Sequence, residues 1–401
     1  MIRSNRTYFY LLLTGLWLTT IGNGIFSIGA IWSLSGRSPT DVVLFGIIGA
    51  LPMAVVSLFA GTIVDRTPKL KVLIISDVTC MFLTLIASPF AATQYTSMAL
   101  IGLNAMLTVF SLTYYPALNA SIPLMSDEKQ RISFNSHLYF AIGSGRFVAP
   151  LLGGWIVAYL RTPYILIIDS ISFAASAIAA FIAFRGMNIR ETPPGKKAPQ
   201  KKSVLISSIE GLSYLRSDRP LLLFVLAFPF IEAVEAVFPL GVPLALRQYH
   251  LSSHIYGVIM SCLAFSLILG TILSRVKALA VSYRKYLSVN FLIQSLGMLV
   301  IASGWPRVYM AVIGVCVLGF TSGIAQVHFA SLIQTKVKRE FLGRMFATVN
   351  SLATVLVPLA PLMLIPFRQA QMGDLFYALF GIMFGCGLLV FIGIRNITVR
   401  G

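Results

Sequence analysis

Twelve apolar runs fill most of this 401-residue chain, each about as long as the ~20 residues a helix needs to cross a bilayer. They cover approximately 8–34, 42–64, 72–92, 97–122, 134–160, 163–184, 220–246, 254–274, 286–304, 308–335, 345–366 and 372–394. Inside hydrocarbon each backbone N–H and C=O must be satisfied within its own segment, so runs of this length have to be helices. The longer ones are accommodated by tilt or kinking. Pro52, Pro89, Pro116, Pro150, Pro229, Pro239, Pro243, Pro358 and Pro361 lie inside the runs. Interior prolines are tolerated there because neighbouring helices re-satisfy the freed carbonyls. A mean hydropathy of +0.85 with only 11% charged residues excludes an ordinary soluble globule.

The charges are distributed by gap. Of 31 Lys and Arg, 25 fall at the termini and in the even-numbered gaps between runs. Five fall in the odd gaps, at Arg37, Arg161, Arg247, Arg307 and Arg368, and Arg146 alone lies within a run. This alternation is the positive-inside signature and predicts that both termini and all even loops are cytoplasmic. The net charge of +18 is therefore topological and does not mark a nucleic-acid surface. Cys80, Cys262, Cys316 and Cys386 all sit in apolar runs without metal or disulfide spacing, so they read as small buried hydrophobes. Arg3 and Arg6 precede a first run with no small-residue cleavage site, which predicts a retained helix and not a signal peptide.

The longest gap, 185–219, divides the chain into 1–184, a linker, and 220–401. Arg185 to Lys202 is polar, basic and proline-bearing. Ser203 to Asp218 places Leu205, Ile209 and Leu212 at helical spacing and predicts a short amphipathic helix on the cytoplasmic face. Six runs on either side predict an internal duplication. At an offset of about 210, Gly61-x-x-x-Asp65-Arg66 matches Gly270-x-x-x-Ser274-Arg275, and Ala120-Ser121-Ile122 matches Ala330-Ser331-Leu332. The expected architecture is an all-α integral membrane protein, twelve transmembrane helices in two six-helix bundles.

Charged groups inside the hydrocarbon point to function, since each costs ~2.5–3.5 kcal/mol even on translocon scales. Arg146 lies about 12 residues into the fifth run, ~18 Å deep at 1.5 Å per residue, too deep for easy snorkelling. It reads either as a fixed cation that grips an anionic group on a substrate or as half of a structural ion pair. Glu232 and Glu235, three apart, share one face of the seventh helix. Two carboxylates so close in low dielectric do not readily both ionise, and a group that exchanges its proton at working pH is what proton coupling requires. Glu232 falls level with Arg146. Asp169 enters the sixth run to only ~9 Å, with Ser170 and Ser172 beside it, and reads as a hydrogen-bonded structural acid or a secondary coupling group. Asp77, about a turn inside the third run, ranks lower because it could reach the interface. Tyr114, Tyr115 and Phe228 are candidate cavity aromatics whose facing the pattern leaves open.

Several stretches carry a resemblance. Gly61-Thr-Ile-Val-Asp65-Arg66-Thr-Pro-Lys69-Leu-Lys71 resembles the loop 2–3 signature of the major facilitator superfamily, with Pro68 and Leu70 departing from it. Ala149-Pro150-Leu-Leu-Gly153-Gly154 resembles the helix-5 motif of drug antiporters, with Ala149 in place of the first glycine. Pro116-Ala117 with Ser121-Ile122-Pro123, and Leu332-Ile-Gln334-Thr335 leading to Leu342-Gly343-Arg344, resemble the branch that holds macrolide efflux pumps and the enterobactin exporter. The resemblance implies two bundles rocking about a central cavity, lined by helices 1, 4, 7 and 10. It also implies a gate in which Asp65 and Arg66, behind Gly61, meet the start of helix 11 beside Arg344, a carboxylate being attracted to a helix N-terminus. Gly145, Pro150, Gly153 and Gly154 would pack helix 5 closely, which the resemblance ties to antiport.

These readings converge on an expected function. The chain is a proton-coupled exporter of a small amphipathic molecule, a siderophore-like metabolite or a macrolide-like drug, working as a monomer in a bacterial cytoplasmic membrane. It needs no cofactor beyond the proton gradient. A nutrient importer of the same fold is the alternative. No P-loop, H-E-x-x-H or G-x-S-x-G is present, so an enzyme is not expected.

Overall fold

A computed structural model describes residues 2–125, 130–186, 219–274, 283–337, 345, 349, 352–367 and 372–398. The chain is helical throughout these residues. The elements are α1 (Ile2–Ser35), α2 (Pro39–Arg66), α3 (Lys69–Phe90), α4 (Thr96–Met125), α5 (Arg131–Tyr159), α6 (Thr162–Gly186), α7 (Arg219–Gln248), α8 (Ser253–Leu273), α9 (Tyr283–Gly304), α10 (Val308–Lys336), α11 (Leu352–Phe367) and α12 (Met372–Thr398). Among the described residues nine helices are long and apolar enough to cross a membrane. Pro39–Met53 in α2, Val289–Gly304 in α9 and Leu352–Phe367 are shorter apolar stretches. The amphipathic helix expected at 203–218 lies outside the described residues.

Local chemistry sets the helix ends. Ser38, in extended geometry, caps α2 by accepting from the Thr40 N–H, and Pro39 occupies the first turn, where its missing N–H is harmless. α2 continues to Arg66, so only Thr67 and Pro68 separate it from α3, a tighter connection than the apolar runs alone predict. Pro68 precedes α3 with φ −55° and ψ 125°, a conformation that ends one helix and admits the next. Pro52, Pro89 and Pro150 are carried inside α2, α3 and α5, and Pro229, Pro239 and Pro243 inside α7. α11 finishes as a 3₁₀ segment, Ala360–Phe367. Pro358, Pro361 and Pro366 remove donors over successive turns, so the i→i−4 ladder there gives way to the tighter form.

The residues fall into two compact units, 1–198 with 252–257, and 199–251 with 258–401. In the first, α1 packs on α5 and α6, α3 on α4 and α6, and α2 on α4. In the second, α7 packs on α11 and α12, and α9 on α10 and α12. Gly319 and Gly323 of α10 receive α8, where an added Cβ would meet the Leu267 N–H nitrogen at 3.1 Å and the Thr271 nitrogen at 2.8 Å respectively. Adding six to each helix number of the first unit reproduces the pairing of the second, which is the structural form of the sequence repeat. The first unit's core gathers Phe9, Leu12, Leu16, Leu70, Leu73, Leu118, Phe134 and Leu138 from four helices. Large apolar side chains also face outward, Phe140 at 75% exposure and Leu389 at 67%. Outward apolar faces of this extent suit a lipid solvent.

Candidate functional site

The first unit encloses a cavity of about 350 Å³ whose wall comes from α1, α2's partner α4, α3, α5 and α6. Thr20, Asn23 and Ser27 of α1, Asn104, Thr108 and Ser111 of α4, and Ser76 of α3 give it a hydroxyl-rich and amide-rich surface. Arg146, Asp77, Tyr114 and Tyr115 bring its ionisable groups.

Arg146 is aimed by close helix packing. Gly145 lets α5 approach α1, where an added Cβ would meet Thr20 Cγ2 at 2.8 Å. One residue earlier, Ser144 Oγ accepts from Trp17 Nε1 at 3.2 Å. With both neighbours fixed against α1, the guanidinium projects into the cavity and is exposed there. Among the described residues no carboxylate pairs with it and no hydrogen bond reaches it. A guanidinium presents a fixed planar fork of donors, the geometry that pairs with a carboxylate or other planar anion.

Asp77 is more enclosed than its place near the start of the third run predicts. α3 begins at Lys69, three residues before the apolar run, so Asp77 sits ~12 Å along the helix and is only 2% exposed. Its Oδ2 accepts from Ser176 Oγ of α6 at 2.6 Å, and Ser176 Oγ lies 3.4 Å from the Tyr114 hydroxyl of α4. Gly15 of α1 leaves room for Ser176, an added Cβ there meeting Ser176 Cα at 3.0 Å. Tyr115 stands edge-on to Tyr114, ring centroids 5.9 Å apart at 82°. The pattern that could have exposed Asp77 is Ser76-Asp77 facing Ser176 across 99 residues, which no local spacing reveals.

Asp169 is fully buried in α6. Ser172 Oγ donates to its main-chain carbonyl at 2.7 Å and lies 3.3 Å from Oδ1, as the neighbouring serines predicted. Ser170 instead donates to the Met81 carbonyl of α3. Gly22 of α1 packs directly over the carboxyl, an added Cβ falling 2.7 Å from Oδ1.

Glu232 and Glu235 lie in α7, in the second unit, both half-buried. Ser322 Oγ of α10 donates to Glu235 Oε1, and Gln294 Nε2 of α9 donates to Ser322 Oγ at 3.1 Å. Among the described residues Glu232 has no hydrogen bond, and it feels the charge of Glu235 one turn on. Phe228 stacks on Phe329, centroids 4.3 Å apart at 13°.

On α5, Gly153 packs on Ile25 and Ile28 of α1, and Gly154 on Gly257, whose Cα lies 2.8 Å from an added Cβ. Ser253 Oγ donates to the Gly154 carbonyl at 3.0 Å, and the Pro150 carbonyl faces Gly257. Small residues thus bring α5 against α1 and against the first turn of α8. Gly61, Asp65 and Arg66 lie in the last turns of α2. Their side chains, and the whole of Arg344, lie outside the described residues. Among the described residues no group of His, Cys, Asp and Glu could hold a metal ion.

The sequence profile of the Major Facilitator Superfamily matches residues 12–361. The chain belongs to this superfamily. It is a family of transporters, and the chain is a multi-pass membrane protein built on its fold. A relative in Bacillus subtilis (strain 168), an uncharacterised transporter of the same superfamily called YfiS, is 22% identical over 327 residues, covering 79% of this chain and 76% of its own. Macrolide efflux protein A of Streptococcus pyogenes is 23% identical over 372 residues, covering 88% and 87%. Among solved structures, a POT family transporter in complex with 5-aminolevulinic acid superposes with a TM-score of 0.73 at 11% identity, covering 97% of this chain and 96% of that one. At that identity the likeness shows the fold alone.

Proposed function

We propose that this superfamily member is a proton-coupled exporter of a small amphipathic molecule that carries an anionic group. It crosses a bacterial cytoplasmic membrane twelve times with both termini inside and works by alternating access as a monomer. The observation that carries the reading is Arg146, a cation without a carboxylate partner among the described residues, aimed into a hydroxyl-lined cavity of about 350 Å³. A group so placed favours a carboxylate or phenolate over a neutral ligand. A siderophore-like metabolite fits that requirement, and a macrolide-like drug, as named for the relatives, is the other arm of the test. The likeness to macrolide efflux proteins supports outward transport, and so does close helix-5 packing through Gly145, Gly153 and Gly154. Glu232, with Glu235 beside it, and Asp169 are the proposed coupling acids. Asp65 and Arg66, with Arg344, are the proposed gate.

The test is comparative profiling of medium from cells with and without the protein, together with intracellular accumulation of erythromycin. The expected result is an anionic metabolite that reaches the medium only when the protein is present. Arg146→Ala should lower its export ~10–100-fold, the range of a lost hydrogen bond to a charged group. Unchanged export of an anionic substrate by Arg146→Ala sinks the proposal for that residue. Protein-dependent efflux of erythromycin alone would move the substrate assignment to macrolides.

A further inference from the structure

The contact between Asp77, Ser176 and Tyr114 joins a buried acid to a cavity surface through one hydroxyl. Ser176 is 2% exposed and Asp77 likewise, while Tyr114 lines the cavity. A serine hydroxyl has one hydrogen and can accept two. Where Ser176 gives its hydrogen to Asp77 Oδ2, the neighbouring contact has only one possible direction, Tyr114 O–H donating to Ser176 Oγ. The tyrosine oxygen then faces the cavity as an acceptor.

We propose that Asp77 is a proton-binding site whose occupancy reverses this chain and converts Tyr114 from acceptor to donor toward the bound substrate. One proton enters at Asp77 Oδ2, and the new carboxyl O–H donates to Ser176 Oγ. The Ser176 hydrogen, displaced from the carboxylate, turns to the Tyr114 oxygen. The Tyr114 hydrogen, freed from Ser176, turns to the cavity. No bond between heavy atoms changes, one proton is taken up, and none is lost.

The neighbours of the chain are defined on every packed helix. On α3 itself Cys80 lies one turn on, within electrostatic reach of both Asp77 and Asp169. α6 contributes Asp169, α4 Tyr114 and Tyr115, and α5 Arg146 from across the same cavity. α1 lines the cavity with Thr19, Thr20, Asn23 and Ser27 among its polar residues, none of them ionisable. Asp77 is therefore the carboxyl in direct contact with both the cavity and the relay. Ionised, it leaves Tyr114 accepting and adds negative charge near the wall, and both favour a substrate that presents a hydroxyl or ammonium donor at that end. Protonated, it removes both attractions. Proton and substrate donor then exclude each other, which is the thermodynamic requirement of antiport.

This inference rests on the exporter reading for its use in transport, and its spectroscopic test stands apart from that reading. Infrared difference spectra of the full-length purified protein are recorded across pH steps, with the tyrosine C–O and carboxyl C=O bands as readouts. The wild type should show a carboxyl band appearing on acidification together with a shift of one tyrosine band. Asp77→Asn should lose the Asp77 component of the carboxyl band together with the tyrosine shift, and Tyr114→Phe the tyrosine signal alone. Ser176→Ala should keep the carboxyl band and lose the tyrosine shift, and Ser176→Thr should restore it. A tyrosine shift that persists in Ser176→Ala, or a carboxyl band unchanged in Asp77→Asn, overturns the relay. If export is intact in cells while these bands fail, the exporter reading stands without the relay. If the bands appear as described and no export is found, the relay stands and the direction of transport is wrong.

Discussion

The two units carry the same three-part arrangement with different heads. In the first, Tyr114 meets Ser176, which donates to Asp77. In the second, Gln294 donates to Ser322, which donates to Glu235. Both chains run donor, serine, carboxylate, and both cross three helices. The head decides what a protonation event can reach. A phenol is donor and acceptor at once, and Tyr114 opens onto a cavity. Gln294 is 1% exposed, and its Oε1 is a buried acceptor without a hydrogen-bond partner among the described residues. A proton change at Asp77 can thus be felt by a ligand, whereas one at Glu235 is felt by the packing of α7, α9 and α10. Glu232, free of hydrogen bonds among the described residues and one turn from Glu235, is the proposed coupling acid of the second unit.

The strongest way to break this comparison is Glu232→Gln set beside Glu235→Gln. Glu232→Gln should reduce uphill export roughly tenfold, within the ~5–150-fold that coupling free energies of 1–3 kcal/mol represent. Glu235→Gln should reduce it less, since its carboxylate is already committed to Ser322. Measured in inverted vesicles as export against an imposed pH gradient, the reverse order would assign coupling to the hydrogen-bonded acid. Normal export by both would confine coupling to the first unit.

The serines come next. Ser322→Ala removes the donor of Glu235 and the acceptor of Gln294 in a buried setting, and each orphaned group costs ~1–3 kcal/mol. Ser176→Ala removes the same kind of bridge, but Asp77 and Tyr114 border a cavity where water can replace it. Thermal unfolding in detergent should therefore fall by several degrees more for Ser322→Ala than for Ser176→Ala. Equal losses would show that the first chain is as dry as the second and would remove the physical basis of the contrast.

The parts of the molecule that were readable from sequence are those written in periodic or one-dimensional chemistry. Helix existence followed from run length, and the repeat followed from Gly61 and Gly270 at matching positions. Arg146 stood out because no topogenic rule explains it. Asp77 is legible in sequence only as an acid near the start of an apolar run, whereas the structure buries it at 2% exposure. Its partner lies 99 residues away, and the repeat gives no hint, because the second unit builds its chain from α7, α9 and α10 rather than from α3, α4 and α6. Of the two serines beside Asp169, only Ser172 reaches the carboxyl, and the seating of α1 on it through Gly22 is a contact between distant segments that no local spacing shows. The long α2 and its two-residue connection to α3 were hidden because Asp65 and Arg66 are polar residues that still continue the helix.

Gln294→Leu tests the smallest difference and the one most specific to the second unit. The substitution deletes a buried carbonyl oxygen that has no partner and so recovers part of a ~1–3 kcal/mol desolvation cost. It also deletes the Nε2 bond to Ser322, worth ~0.5–1.5 kcal/mol net. The terms oppose each other, and leucine fills a similar volume, so the melting temperature should move little in either direction. Ser322 keeps its bond to Glu235 in the variant, because a hydroxyl needs no donor of its own to give its hydrogen. Coupling to the proton gradient should consequently remain as in the wild type, in contrast to Tyr114→Phe, which removes the head of the first chain and should weaken it. A Gln294→Leu protein that melts as before but loses pH-dependent export would mean that the amide head transmits protonation after all, and the two units would then work alike.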